Sequence, residues 1–287
     1  MTTEDRFPPD TTIVYQGEPG AYSENACETF APHFTPSPCA TFEEALDAVA
    51  TGRAARAMLP IENSLAGRVG DMHHLLPQSN LHIVAEHFLA IRHQLLGAPG
   101  ARLDAIRVVR SHQMALGQCR NAVRDLGLRP EAAGDTAGAA KRLAALADPT
   151  EAVIASARAA DLYGLEILKE NIEDAGHNTT RFFQMALDPH DAEPGEGTIV
   201  TSFIFQVRNI PAALYKALGG FATNGVNLTK LESYQLDGSF SATMFYADAE
   251  GHPDEPPMRR ALEELGFFST RLRILGAYRS ARERPAH

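Results

Sequence analysis

Two adjacent side chains, Thr180 and Arg181, carry the strongest chemical signal, within Asn178-Thr179-Thr180-Arg181-Phe182-Phe183. A threonine hydroxyl can give a proton or hydrogen bond to a leaving oxygen, and an arginine fork can hold a carboxylate in two parallel hydrogen bonds. The pair stands where an expected helical region, Ala155 to Glu170, gives way to the apolar run Phe182 to Leu187, so it is read as a strand entrance. Neighbouring strand residues point to opposite faces, but at a strand's first residues both are expected to reach one cleft. The competing reading is a polar strand entrance with a solvated arginine, and the rest of the chain decides between them.

Polar residues recur at other expected strand ends. Thr11 to Gln16 reads as a strand, followed by a tight turn, Gly17-Glu18-Pro19-Gly20-Ala21-Tyr22-Ser23, into a helix from Glu24 to Phe30; such a turn could cradle an anion on backbone N–H groups. Thr41-Phe42-Glu43-Glu44 matches a capping box and starts a helix to about Thr51. Ala54 to Pro60 reads as a short strand emptying into Ile61-Glu62-Asn63-Ser64, with a helix beginning at Arg68 and Val69. His82 to Gln94 and Ile106 to Arg110 are strand-like, and the second ends at Ser111-His112 before a helix from Met114 to Leu126. Glu131 to Gly134 ends at Asp135-Thr136 before a helix from Ala137 to Ala147, and Val153 to Ala155 ends at Ser156 before a helix from Arg158 to Tyr163. This alternation predicts an α/β architecture with mainly parallel strands. Ligands of open α/β sheets sit outside the carboxyl ends of the strands, which makes Ser23, Ser64, Ser111, Thr136 and Ser156 candidate site residues as well as candidate helix caps. Several helix N-termini converging beside Arg181 would suit a small dianion.

The 287 residues are enough for two domains or one large one, and a net charge of −10 without tryptophan argues against nucleic acid or an anionic membrane as partner. Cys27, Cys39 and Cys119 have no Cys-x-x-Cys pairing and the histidines no ligand spacing, so no disulfide and no metal site are expected. Residues 1–10 are polar and acidic, and no apolar run approaches membrane-span length, which predicts a cytoplasmic protein. Residues 189–197, rich in Pro and Gly, read as a linker between a region of residues 11–188 and one of residues 198–280. The latter has the order βαββαβ: a strand from Thr198 to Val207, a helix from Pro211 to Asn224, strands Val226 to Gln235 and Ser239 to Asp248 around a Leu236-Asp237-Gly238 turn, a helix from Glu255 to Phe267, and a strand from Thr270 to Tyr278. That order is the ferredoxin-like split unit.

Tyr15-Gln16-Gly17-Glu18-Pro19-Gly20-Ala21-Tyr22-Ser23, Leu59-Pro60-Ile61-Glu62-Asn63-Ser64, Ser111-His112, Asp135-Thr136-Ala137-Gly138-Ala139-Ala140, Tyr163-Gly164-Leu165 and Asn178-Thr179-Thr180-Arg181-Phe182 occur in one order, and with them the chain resembles bacterial prephenate dehydratases carrying a C-terminal ACT regulatory domain. The resemblance implies a two-lobed catalytic region similar to type II periplasmic binding proteins, with the site in the cleft between lobes. It further implies decarboxylating dehydration of prephenate to phenylpyruvate in phenylalanine biosynthesis, with no metal or organic cofactor. Thr180 and Arg181 become the expected catalytic pair, and Asn63, Ser64, Ser111, Thr136, Asn178 and Phe182 the expected substrate contacts, with His112 and Glu62 as rival acids. Phenylalanine feedback is implied through Asn209, Ala213, Leu214, Asn227, Leu228, Glu232 and Ser233, and a homodimer or homotetramer through the ACT domain. The chain departs from the family pattern at Gln113-Met114 (usually Pro-Gln), at Ala212-Ala213-Leu214 (Gly-Ala-Leu) and at Glu232-Ser233-Tyr234-Gln235 (Glu-Ser-Arg-Pro). An added methyl at Ala212 is expected to crowd a close backbone approach that glycine permits. Arogenate as substrate, or a non-catalytic amino-acid sensor, are the alternatives.

Overall fold

The computed structural model describes residues 9–195, 197–235 and 242–281. By compactness the chain divides into one unit made of the chain up to Val69 with His87–Phe182, and a second made of Gly70–Glu86 with the chain from Phe183 onward. This division does not coincide with the expected linker at 189–197. Within the second unit Ala192 donates its N–H to Ala277 O (2.8 Å) and Asp191 Oδ1 accepts from Ala277 N–H (3.0 Å), which ties this part of the expected linker to the last strand.

The chain runs β1 (Thr12–Gln16), α1 (Tyr22–Phe30), β2 (Thr35–Cys39), α2 (Phe42–Ala50), β3 (Arg56–Asn63), β4 (Gly67–Arg68), α3 (Gly70–Leu75) and β5 (His82–Ala90). It continues as β6 (Gln94–Gly97), β7 (Val108–His112), α4 (Gln113–Gln118), α5 (Arg120–Asp125), β8 (Arg129–Ala133), α6 (Thr136–Leu146), β9 (Glu151–Ala155), α7 (Ala157–Tyr163), β10 (Glu166–Lys169) and β11 (Thr179–Ala186). One sheet has the order β2-β1-β3-β11-β5 with β4 on β3, and a second has the order β10-β6-β9-β7-β8. These sheets are the frameworks of two lobes, each with helices on it.

Apolar alternation and burial account for the strands of both lobes. Ile13 and Tyr15 of β1 pack with Met58, Leu89 and Phe182 in the first lobe, while Val109, Ala152 and Ile154 pack with α4 and α5 in the second. β1 pairs parallel with β2 and β3, and β7 parallel with β8 and β9, whereas β6 pairs antiparallel with β9 and β10. Strand β2, Thr35-Pro36-Ser37-Pro38-Cys39, is invisible to a propensity reading because of its two prolines, which are tolerated at a sheet edge.

The expected helix from Ala155 to Glu170 is instead α7 followed by β10, because Gly164 adopts a left-handed conformation (φ 65°) that ends the helix. The expected helix from Met114 to Leu126 breaks at Cys119 (φ −123°). Arg68 belongs to a short hairpin strand, and the helix after it starts at Gly70.

The second unit contains β12 (Ile199–Val207), α8 (Ala213–Thr223), β13 (Leu228–Gln235), β14 (Ala242–Glu250), α9 (Pro256–Phe268) and β15 (Ser269–Arg279). Its antiparallel sheet has the order β13-β14-β12-β15, the arrangement of a ferredoxin-like unit. The expected turn at Leu236-Asp237-Gly238 lies outside the described residues. Phe203, Phe205, Phe221, Met258 and Leu265 build the core between the sheet and its two helices. Gly276 lets Ile83 approach the sheet within this unit, since a Cβ there would lie 2.0 Å from Ile83 O. Buried Ser202 places Oγ 2.5 Å from Asp248 Oδ1 and 2.6 Å from Tyr278 OH. Ala212, just before α8, has φ 61°, the left-handed region that glycine occupies without penalty.

Candidate active site

Four polar side chains meet where the ends of β3, β11 and α4 come together. Asn63 ends β3, Asn178 and Thr180 stand at the start of β11, and Gln118 ends α4 in the other lobe. Backbone N–H groups can only donate, so the N–H groups of Leu65 and Ala66, 3.0 and 2.9 Å from Asn63 Oδ1, fix the orientation of that carboxamide. Its Nδ2 then donates to Asn178 Oδ1 (2.7 Å) and to Thr180 Oγ1 (3.0 Å). Thr180 therefore accepts from Asn63, and its own hydroxyl proton is left to be donated. Gln118 Nε2 donates to Asn63 Oδ1 (3.2 Å), and Gln118 Oε1 accepts from Asn178 Nδ2 (3.0 Å) and faces His93 Nε2 (2.9 Å). A cavity of about 280 Å³ opens beside this group, lined by Gln118 with Leu65, Ala66, Met114, Gly117, Arg120 and Asp174.

Arg181 does not join Thr180. In β11 the alternation already holds at these residues, and Arg181 turns to the other face, where Nη1 meets Glu62 Oε1 at 3.1 Å and the guanidinium lies 6.0 Å from the Phe88 ring centre. Its side chain is only 7% exposed, so the expected carboxylate holder is committed to a carboxylate of its own chain. Phe182, expected to line the substrate ring, is packed in the first-lobe core.

The strand-tip serines also separate. Ser64 donates to His177 O (3.0 Å) and accepts from Thr179 N–H (3.0 Å), which ties β3 to β11 beside the site. Ser111 is fully buried and donates to Ile154 O (2.6 Å) inside its own sheet. Thr136 is half-buried at the first residue of α6, whose cap is Asp135; of the five proposed caps Ser156 alone acts as one, accepting from Ala159 N–H (3.0 Å). Ser23 lies inside α1, and His112 caps α4 by accepting from Met114 N–H. The glycine turn before α1 holds no open cradle: Gly20 N–H is taken by Glu24 Oε2 (2.6 Å), and a Cβ on Gly20 would lie 3.0 Å from Ala159 Cα. Lys141, Tyr163 and Ser156 of the second lobe instead grip this turn at Glu18, Pro19 and Gly20.

Gln118 and His93 escaped the sequence reading. Neither sits in a motif by type, and Gln118 reaches Asn63 across 55 residues of chain. His93 is 2% exposed, and burial lowers its pKa from the ordinary imidazole value, against opposing contributions from Gln118 and Glu173. Among the described residues no group of three or more His, Cys, Asp or Glu side chains could hold a metal ion, and no helix is long and apolar enough to cross a membrane.

The expected effector residues lie in the second unit, at the start of α8 and along the edge strand β13. Asn209 is exposed just before α8, Ala213 and Leu214 form its first turn, and Leu228 opens β13. Asn227 donates to Glu250 Oε2 (3.0 Å), Glu232 pairs with Lys230 (3.3 Å), and Ser233 is exposed.

Residues 13–190 match the family model described as "Prephenate dehydratase". The chain is 52% identical over 266 residues to a bifunctional N-acyl-homoserine lactone acylase/prephenate dehydratase of Komagataeibacter europaeus, covering 93% of this chain and 95% of that one. It is 41% identical to arogenate dehydratase/prephenate dehydratase 2 of Arabidopsis thaliana, covering 93% of this chain and 72% of that one. The crystal structure of prephenate dehydratase in complex with L-Phe from Arthrobacter aurescens superposes with a TM-score of 0.88 at 30% identity, over 96% of this chain and 92% of that one. With a matched family model spanning both lobes and relatives aligned along nearly its whole length, this chain belongs to the prephenate dehydratase family.

Proposed function

We propose that the chain converts prephenate to phenylpyruvate, with Thr180 as the donor to the departing hydroxyl. The observation that carries this reading is the 3.0 Å bond from Asn63 Nδ2 to Thr180 Oγ1, which turns the threonine into a directed donor. As the bond to the ring carboxylate breaks, its electron pair enters the ring, the ring becomes aromatic, carbon dioxide departs, and hydroxide leaves from the opposite carbon. Hydroxide is a poor leaving group, and a hydrogen bond or proton from Thr180 stabilises it as water forms. Asn63, Asn178 and Gln118 fix that donor. With Arg181 committed to Glu62, the cation placed to meet a substrate carboxylate is Arg120, at the rim of the cavity beside Gln118. Spectrophotometric detection of phenylpyruvate from prephenate tests the reading, and absence of turnover by folded protein refutes it.

The region of residues 198–280 is read as an ACT domain that binds phenylalanine through Asn209, Ala213, Leu214, Asn227, Leu228, Glu232 and Ser233 in a cytoplasmic homodimer or homotetramer, with residues 189–197 as the linker from the catalytic region of residues 11–188. The Arthrobacter aurescens relative, solved with L-Phe, supports the phenylalanine-binding part of this reading. Inhibition by phenylalanine, measured before and after Glu232→Ala, tests it; an unmodified enzyme insensitive to phenylalanine removes the claim. A second reading, arogenate as substrate, is favoured by the Arabidopsis thaliana relative, and side-by-side turnover of the two compounds separates them. The Komagataeibacter europaeus relative also motivates amide hydrolysis of an N-acyl-homoserine lactone, checked by release of the free lactone.

A further inference from the structure

His93 stands on one of the two chain crossings between the lobes, between β5 and β6, and is clamped there by the other. Its N–H donates to Glu173 Oε2 (2.9 Å), and its C=O accepts from Ile172 N–H (2.9 Å). Its ring bridges the lobes: Nδ1 lies 2.8 Å from Tyr22 OH on α1, and Nε2 lies 2.9 Å from Gln118 Oε1 on α4. The proton positions follow from the site itself. Gln118 must present Oε1 to the imidazole because its Nε2 is spent on Asn63, so His93 Nε2 carries a hydrogen. Burial keeps the ring neutral, so Nδ1 is a lone pair; the Tyr22 hydroxyl, which also lies 3.0 Å from Arg92 O, must direct its single proton mainly to that lone pair at 2.8 Å. The hydrogen bonds then run in one direction, from Tyr22 through His93, Gln118 and Asn63 to Thr180, each donor strengthening the next.

We propose that the Tyr22–His93 pair is a positioning device for the dehydration, holding the Gln118 carboxamide so that the chain of donors ends on Thr180. Neither residue touches the reacting atoms; they act through Gln118 and Asn63. The inference rests on the dehydratase reading, and the test separates the two. His93→Leu removes the N–H aimed at Gln118, while His93→Gln restores a donor of similar reach. With prephenate, His93→Leu is expected to lower kcat about tenfold, the scale of a lost hydrogen bond near 1.4 kcal/mol, with KM within about twofold. His93→Gln is expected to recover kcat to within about threefold of the unaltered enzyme. Tyr22→Phe keeps the ring edge against His93 and removes the donor, and is expected to lower kcat about threefold; it decides the matter if His93→Leu does not fold. Unchanged kcat in folded His93→Leu, equal losses in His93→Leu and His93→Gln, or unchanged kcat in Tyr22→Phe would overturn the proposal. No turnover by the unaltered enzyme would overturn the dehydratase reading and this one with it.

Discussion

Thr180→Val separates a chemical role for the hydroxyl from a structural one, because the structure shows how little else the group does. Among the described residues Thr180 Oγ1 accepts one hydrogen bond, from Asn63 Nδ2 at 3.0 Å, and that nitrogen also donates to Asn178 Oδ1 at 2.7 Å and lies 3.2 Å from Thr179 O. Removing the hydroxyl thus leaves Asn63 partnered, and the stability loss should be near the net worth of one neutral hydrogen bond, about 0.5–1.5 kcal/mol. Loss of proton delivery in the transition state is larger, about 10²–10⁴ in rate, or roughly 2.7–5.5 kcal/mol. The expected result is a kcat at least about a hundredfold lower, with KM within a few-fold and a small fall in melting temperature. Thr180→Ser should keep most of the rate. Phenylpyruvate formation and thermal unfolding measured on the same preparations provide both numbers. A valine variant retaining a third or more of kcat refutes the assignment of Thr180 as donor.

Arg181→Met leaves Glu62, whose side chain is 27% exposed, without the guanidinium; about 3 kcal/mol of stability should be lost in urea unfolding, and Arg181→Met with Glu62→Leu should recover much of it. Ser111→Ala, which removes a fully buried donor to Ile154 O, should cost about 1–2 kcal/mol of stability and leave KM unchanged; a raised KM without destabilisation would restore Ser111 as a substrate contact. Ala212→Gly relieves a left-handed alanine and should raise stability by up to about 1 kcal/mol, read as a higher melting temperature. The Glu173 carboxyl sits below the ordinary value of 4.5: burial pushes it up, but the His93 N–H, its own backbone and Arg92 together outweigh that. A lowered carboxyl contributes stability that is present above pH 4.5 and lost as pH falls through its folded value, so Glu173→Gln should flatten the acid limb of the unfolding profile.

The order of strands and helices was legible because apolar periodicity and caps are local signals. Thr41 Oγ1 accepts from Glu44 N–H (3.1 Å), as the capping pattern implies, and βαββαβ emerged from the C-terminal third without help from tertiary contacts. What failed did so at turns decided by one backbone angle, such as Gly164, and at proline-bearing β2, where edge position overrides propensity.

At the site, the element that carries Thr180 was readable and Asn63 and Asn178 were named with it, but Gln118 from the other lobe was not. Ser111 precedes and Gln118 ends the same short helix; one binds a carbonyl of its own sheet and the other reaches Asn63, and nothing in residue type separates these fates. A strand-tip serine serves a ligand only if no backbone carbonyl lies closer, and which carbonyl lies opposite is set by strand register, a non-local property. Side-chain alternation, by contrast, is local. Taken strictly, it already sends Thr180 and Arg181 to opposite faces, and the expectation that a strand's first residues escape it is the step that misplaced the arginine. The Thr-Arg pair is therefore two devices back to back: a hydroxyl that accepts from Asn63, and an ion pair with Glu62 behind it that joins the ends of β3 and β11. On that account Glu62→Gln, which keeps a hydrogen-bond acceptor for Arg181 but removes the charge, should lower stability by less than Arg181→Met and lower kcat only as far as Asn63 shifts; a kcat loss as deep as that of Thr180→Val would show instead that Glu62 acts in the chemistry.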